Sequence, residues 1–286
     1  MIDVRPSPIA GTWYPAEAQA LARSIDGQLA EVDHEPPPGR VVGLVVPHAG
    51  HRYSGGVAAH AFRLIQGASF EVVAILGPMH QPFPASVLTT SHQAYATPLG
   101  PVEVATDLVE ALGQALETGF SVELIRVAHD SEHSLEIELP FLQRTLSPGF
   151  RILPVMLRDQ TPSVAEAVGH ALAEVVRSAS ALIVASSDLS HFYPSGAARR
   201  LDQEMLARME AFDPGRIFEA EARGVGFACG KAAVAATLWA ARDLGAGNLR
   251  VLHYAHSGDV TGDHDSVVGY AAAVIYAAPP GDLRPA

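Results

Sequence analysis

Three histidine-bearing turns, far apart in the chain, hold the residues best suited to chemistry. Val41 to Val46 ends in Pro47-His48-Ala49-Gly50, and Val72 to Leu76 ends in Gly77-Pro78-Met79-His80. Ala181 to Ala185 ends in Ser186-Ser187-Asp188-Leu189-Ser190-His191. Neutral imidazoles brought from separate segments suit a transition metal, because nitrogen donors match iron, copper and zinc. A carboxylate such as Asp188 or Glu132 then orients an imidazole or moves a proton.

Each candidate has a plainer alternative. His48 and His80, taken singly, read as hydrogen-bonded loop histidines; both at strand ends, they read as shared ligands. Asp188 stands near a helix start, where Ser186, Ser187, Asp188 and Ser190 are all capable caps. His191, flanked by Phe192 and Tyr193, reads as a pocket residue and an acid or base. Cys229 precedes Gly230 and an apolar helix, so the helix dipole favours its thiolate as a ligand or nucleophile. Its alternative is a small buried hydrophobe. His129, Glu132 and His133 form an acidic-imidazole cluster that either joins the cleft or caps a helix. His60 and His170 fall within helices as surface or packing residues. Asp259-Val260-Thr261-Gly262-Asp263-His264-Asp265 lacks the spacing of a calcium loop and is expected to line the cleft.

These side chains need elements that converge. The three runs are short and rich in β-branched residues, as buried parallel strands are. In an open parallel sheet, ligands collect beyond the carboxyl ends of the strands. Further strands are expected at Ser86–Thr90, Val122–Val127, Arg151–Leu157, Leu249–Tyr254 and Val267–Tyr276. Four-residue spacing of Leu21, Ile25 and Leu29 predicts a helix over Ala16–Val32. Helices are also expected over Gly55–Ile65, Thr106–Leu116, Leu135–Leu146 (with Ser134 as N-cap), Ser163–Ser178, Ala197–Ala211, Pro214–Ala222 and Gly230–Leu244. Alternating strands and helices predict one α/β domain over residues 1–286, with a mainly parallel central sheet flanked by helices. Tyr53, Phe83, Phe192 and Tyr193 are candidate pocket walls.

Bulk properties narrow the partners. With 286 residues and a net charge of -12, the chain is a poor match for nucleic acid or an anionic membrane. It has no membrane-spanning apolar run and no signal-like N-terminus, so a cytoplasmic location is expected. The single cysteine excludes an internal disulfide. No Gly-rich phosphate loop, dinucleotide fingerprint or Gly-x-Ser-x-Gly elbow is present.

Assembled, these residues resemble the MEMO family over nearly the whole chain. The matching pieces are Ala10-Gly11-Thr12-Trp13-Tyr14-Pro15, Pro47-His48-Ala49-Gly50, Tyr53-Ser54-Gly55 and Gly77-Pro78-Met79-His80. Thr97-Pro98-Leu99-Gly100, Glu132-His133-Ser134-Leu135-Glu136, the Ser186–His191 turn and Cys229-Gly230 follow in the same order. The resemblance implies a fold similar to class III extradiol dioxygenases, which use non-haem Fe(II). It implies a metal site of His48, His80 and Cys229, with Asp188 and His191 beside it; His191 or His133 is the candidate base if the metal activates water. In prokaryotes the family resembles the B component of a set (AmmeMemoRadiSam) that includes an AMMECR1-like and a radical-SAM protein, which are the expected partners. After Cys229-Gly230 this chain has Lys231-Ala232-Ala233 instead of the basic-His-Pro continuation of eukaryotic members, a difference that bears on substrate contacts.

A thiolate in place of the extradiol carboxylate is softer, which favours Cu(I) or Zn(II) and retunes iron. Three readings follow. The leading one is a dioxygenase-like oxidoreductase using Fe(II) on a small-molecule or peptide substrate. The others are a non-catalytic iron- or copper-binding adaptor and a hydrolase using Zn.

Overall fold

The apolar runs form strands and the four-spaced apolar rows form helices in the computed structural model, which describes residues 2–279. The chain begins with β1 (Val4–Arg5), α1 (Ala18–Ala30), β2 (Arg40–Val46), α2 (His51–Phe62) and β3 (Val72–Pro78). Next come β4 (Val87–Thr90), β5 (Ala94–Tyr95), β6 (Val102–Glu103), α3 (Thr106–Phe120) and β7 (Leu124–Val127). The middle continues through α4 (Leu139–Thr145), β8 (Arg151–Leu157), α5 (Pro162–Val176), β9 (Ala181–Ser186) and β10 (His191–Tyr193). It closes with α6 (Ser195–Glu210), α7 (Pro214–Ala222), α8 (Lys231–Asp243), β11 (Asn248–His256), α9 (Gly258–Thr261) and β12 (Val267–Ala277).

One sheet takes the order β10-β12-β2-β9-β3-β8-β4-β7, with β11 also paired to β12. Its centre, β2-β9-β3-β8, is parallel throughout. The flanks turn antiparallel where β12 meets β2, β10 and β11, and where β4 meets β8. The fold is therefore α/β with a parallel heart inside a mixed sheet. The antiparallel flanks follow from connectivity: β11 returns into β12 with only the short α9 between them, too little chain for a crossover.

Helices α1, α2 and α4 form one layer and α3, α5, α7 and α8 another. Both faces of the central strands are thus covered, and β3 is buried along its whole length. Alanine-rich α8 lies against α5, where a Cβ on Gly169 would meet Trp239 Cβ at 2.4 Å and the Ala236 carbonyl at 2.7 Å.

Two local expectations change. Helix α2 starts at His51 rather than Gly55, because the Gly50 carbonyl already accepts from the N–H groups of Tyr53 and Ser54. The segment expected as a helix over Leu135–Leu146 is a 3-10 turn at Glu136–Glu138 followed by α4. Ser134 is no cap: its hydroxyl donates to the Pro78 carbonyl at 3.0 Å, fastening this turn to the end of β3. A second sheet, β1-β5-β6, ties down the N-terminal arm.

Candidate metal centre

Strands β2, β9 and β3 are sheet neighbours and run in parallel, so their carboxyl ends open onto one edge. His48, the Ser186–His191 turn and His80 meet there. His133 arrives from the loop before the 3-10 turn, held by the Ser134 bond to Pro78. One donor atom from each of His48, His80 and His133 lies within 4.8 Å of the others. The His80 and His133 rings stack with centroids 4.6 Å apart, and His48 presents its edge to them at 5.2 and 5.3 Å.

What stands behind the rings decides which nitrogen faces inward. His48 Nδ1 lies 3.0 Å from Ser186 Oγ, whose hydroxyl donates to Glu138 Oε1 at 2.9 Å. His80 Nδ1 donates to Glu132 Oε1 at 2.9 Å, and its backbone N–H donates to Oε2 at 2.6 Å. Glu132 Oε1 also accepts from the N–H groups of His133 and Ser134 and lies 3.4 Å from His133 Nδ1. With every Nδ1 turned towards a supporting group, the Nε2 atoms are left for the centre. Imidazoles backed in this way are held in one tautomer and made better donors.

The charges follow from burial. His48 is pushed well below the usual histidine range, first by burial and then by the neighbouring His133 and His80. His133 falls to about 4 for the same reason. Burial would raise Glu132, but hydrogen bonds from His80 and the backbone overcome it and hold the carboxyl low and ionised. Glu138 is the opposite case: burial raises it well above the usual carboxylate range and so favours its neutral form. Asp188 is raised to about 7 by burial, against the pull of the backbone N–H groups of His48 and Ala49. His48 and His133 are thereby held as neutral lone-pair donors, the form a cation needs.

Cys229 adjoins this group, with Sγ 3.1 Å from His48 Nε2 and accepting from the Asp188 N–H at 3.1 Å. It sits just before Gly230, the N-cap of α8. Burial nonetheless raises the thiol strongly, with the Asp188 charge adding to it. Asp188 caps no helix here: Oδ1 accepts from the His48 N–H at 2.8 Å, while Oδ2 lies 4.0 Å from His48 Nε2. His191 donates Nδ1–H to the Leu189 carbonyl at 2.8 Å, leaving Nε2 free on the pocket wall.

The histidines, Asp188 and His191 line an open pocket of about 450 Å³. Trp13, Tyr53, Val268 and Tyr270 give it a mainly apolar wall, and among the described residues no lysine or arginine lines it. Of the aromatics expected there, Tyr53 alone is on the wall. Phe83 and Phe192 are exposed, and the Asp259 loop borders a different cavity. Glu132 is no surface cap but 2 % exposed. Sequence reasoning missed Trp13, whose ring lies 4.2 Å from that of His133, and Tyr270. Trp13 stands in the conspicuous Trp-Tyr-Pro arm, but Glu138 carries no local signal.

Three backed imidazoles and an adjacent thiol fit a borderline divalent metal such as iron, copper or zinc. They do not fit calcium or magnesium, which need oxygen donors.

Residues 5–274 match the family described as Memo-like protein. A MEMO1 family protein of Methanopyrus kandleri is 35 % identical, over 93 % of this chain and 96 % of that one. Another, from Methanothermobacter thermautotrophicus, is 37 % identical over 94 % and 99 %. A solved structure of an uncharacterized Escherichia coli K12 protein, JW3007, aligns at TM-score 0.46 and 13 % identity, covering 81 % of this chain and 99 % of that one. That likeness is too distant to assign a function. The match across almost the entire length, with the histidine turns inside it, places this chain in the Memo family.

Proposed function

We propose that this protein is a mononuclear, non-haem iron protein that oxidises a small organic substrate. The observation that carries the reading is the group of three donor atoms within 4.8 Å at the floor of the pocket. His48 and His80 hold the ion, and His133 and Cys229 are the adjoining donors. Bound Fe(II) supplies electron transfer with O₂ as co-substrate, chemistry that no side chain here provides.

The chain's own groups handle the substrate. The apolar wall of Trp13, Tyr53, Val268 and Tyr270 holds its body and keeps water away. Among the described residues of the wall there is no Lys or Arg, which disfavours a phosphate or free carboxylate, since no cation would offset the lost hydration. His191 Nε2 takes up or returns a proton at the open side. Asp188, raised to about 7, exchanges a proton near neutrality beside His48. AMMECR1-like and radical-SAM partners would supply or consume the substrate.

A zinc hydrolase is the second reading, favoured by the three-imidazole set with its open side. The deciding test is elemental analysis of tag-free protein purified without oxygen, beside His80→Ala and Cys229→Ala. Near-stoichiometric iron, lost in both variants, supports the proposal and makes the thiol a ligand. Iron kept in Cys229→Ala but lost in His133→Ala makes His133 the third ligand instead. Zinc in place of iron moves the hydrolase reading forward, and metal unaffected by His80→Ala overturns the site.

A further inference from the structure

A second set of imidazoles lies outside the pocket. His34 is in the segment between α1 and β2, His60 is near the end of α2, and His253 is on β11. His34 Nε2 and His60 Nδ1 are 2.6 Å apart. The His60 and His253 rings stack with centroids 4.1 Å apart and 13° between their planes. His253 is exposed, and the other two are half-buried.

A backbone irregularity brings His253 there. The ladder between β11 and β12 runs Val251↔Ala273 and then His253↔Ala272, leaving Leu252 without a partner. Val251 and His253 would share a face in a regular strand. The extra residue turns His253 to the opposite face, where it meets α2. Bulges of this kind re-aim side chains and gather near functional sites.

Burial and mutual repulsion favour the uncharged forms of His60 and His253. His60 is lowered to about 4, first by burial and then by His253 and His34; His253 is lowered by burial and His34. Neutral imidazoles with free lone pairs are borderline donors. The cavity of about 380 Å³ beside them is walled by Glu31 and Asp259 as well as Arg52. Asp33 and Glu35 flank His34 in the chain.

We propose that His34, His60 and His253 form a second, surface-accessible site for a divalent cation of the zinc, nickel and copper class. A cation takes the place of the hydrogen bond between His34 Nε2 and His60 Nδ1, the proton of the donating ring moving to that ring's other nitrogen. Tetrahedral Zn–N bonds of about 2.0 Å put donor nitrogens roughly 3.3 Å apart, so these two need to separate by less than about 1 Å. Rotation of the exposed His253 ring about its side-chain bonds brings the third donor. The site is independent of the pocket and of the iron reading.

Zinc titration of tag-free, metal-stripped protein, followed by calorimetry, tests it. The expected result is a zinc equivalent that persists in His80→Ala and is lost in His60→Ala and His253→Ala. His253 is exposed, so its replacement leaves the fold intact, as the melting curve of the metal-free variant checks. Zinc binding unchanged in both His60→Ala and His253→Ala overturns the site, as does a single equivalent that disappears in His80→Ala. A single equivalent lost in His60→Ala but kept in His80→Ala upholds this site and removes the pocket reading instead.

Discussion

At the scale of single residues, the two glutamates behind the histidines do different work despite their shared chemistry. Glu132 is ionised and receives four N–H groups, two of them from His80. Glu132→Gln removes the charge and turns one acceptor into a donor facing donors. Metal affinity is expected to fall about 10- to 100-fold, the usual effect of losing such a supporting group. Burial favours the neutral form of Glu138, so Glu138→Gln keeps its size and that charge state and is expected to change affinity little. Competition with a chromogenic chelator measures both, and equal losses would refute the difference in protonation. One of these roles was half legible: Glu132, beside two histidines, read either as a helix cap or as a carboxylate orienting an imidazole, and its bonds to His80 match the second reading. Glu138 became visible only once Ser186 was placed against it.

At the scale of elements, the centre depends on how closely α8 approaches the end of β9. A Cβ on Gly230 would sit 2.5 Å from the Ser186 carbonyl and 2.9 Å from Ser187 Cβ. Both are backbone or short side-chain atoms that cannot swing away. Gly230→Ala is expected to destabilise by about 1–3 kcal/mol, as overpacking of a close contact does. It also draws Cys229 away from His48, so urea midpoint and metal content fall together. The paired apolar rows and runs made most elements legible, with Arg151–Leu157 and Pro214–Ala222 matching their expected bounds. The short strands β1, β5, β6 and β10 were not, because two or three residues carry no periodicity and form only against a partner already in place.

At the scale of the molecule, the N-terminal arm is locked to the site loop by a buried charge network. Arg5, 1 % exposed, donates to Asp130 Oδ1 at 2.7 Å, Glu136 Oε2 at 2.6 Å and the Glu132 carbonyl at 2.8 Å. Arg5→Ala strands two carboxylates, and a loss of about 3–5 kcal/mol is expected in urea unfolding, typical of a broken buried pair. A second global effect is acid sensitivity. His51 is buried, donates Nε2–H to the Ile137 carbonyl, and is lowered by burial to about 4. The unfolded chain protonates near 6.5 while the folded one does not. Stability is therefore full above about pH 6.5 and falls towards pH 4, by about 1.4 kcal/mol per pH unit for this one group. His51→Gln in metal-free protein is expected to flatten that slope, and an unchanged slope would show that His51 is not the group responsible.

Local pattern was enough for the alternation of strands and helices, the carboxyl-edge location of His48, His80 and His191, and the likeness to the Memo family. These depend on near-neighbour spacing and on the one-directional geometry of parallel strands. Long-range packing decided the rest. Whether Asp188 caps a helix or binds the His48 backbone, and whether Glu132 faces water or His80, depends on segments 52 to 140 residues away. His133 joins the imidazole group because one hydroxyl of Ser134 reaches the end of β3, and no spacing along the chain encodes that contact. The protonation states followed in turn, since they are set by how much water the finished fold removes from each group.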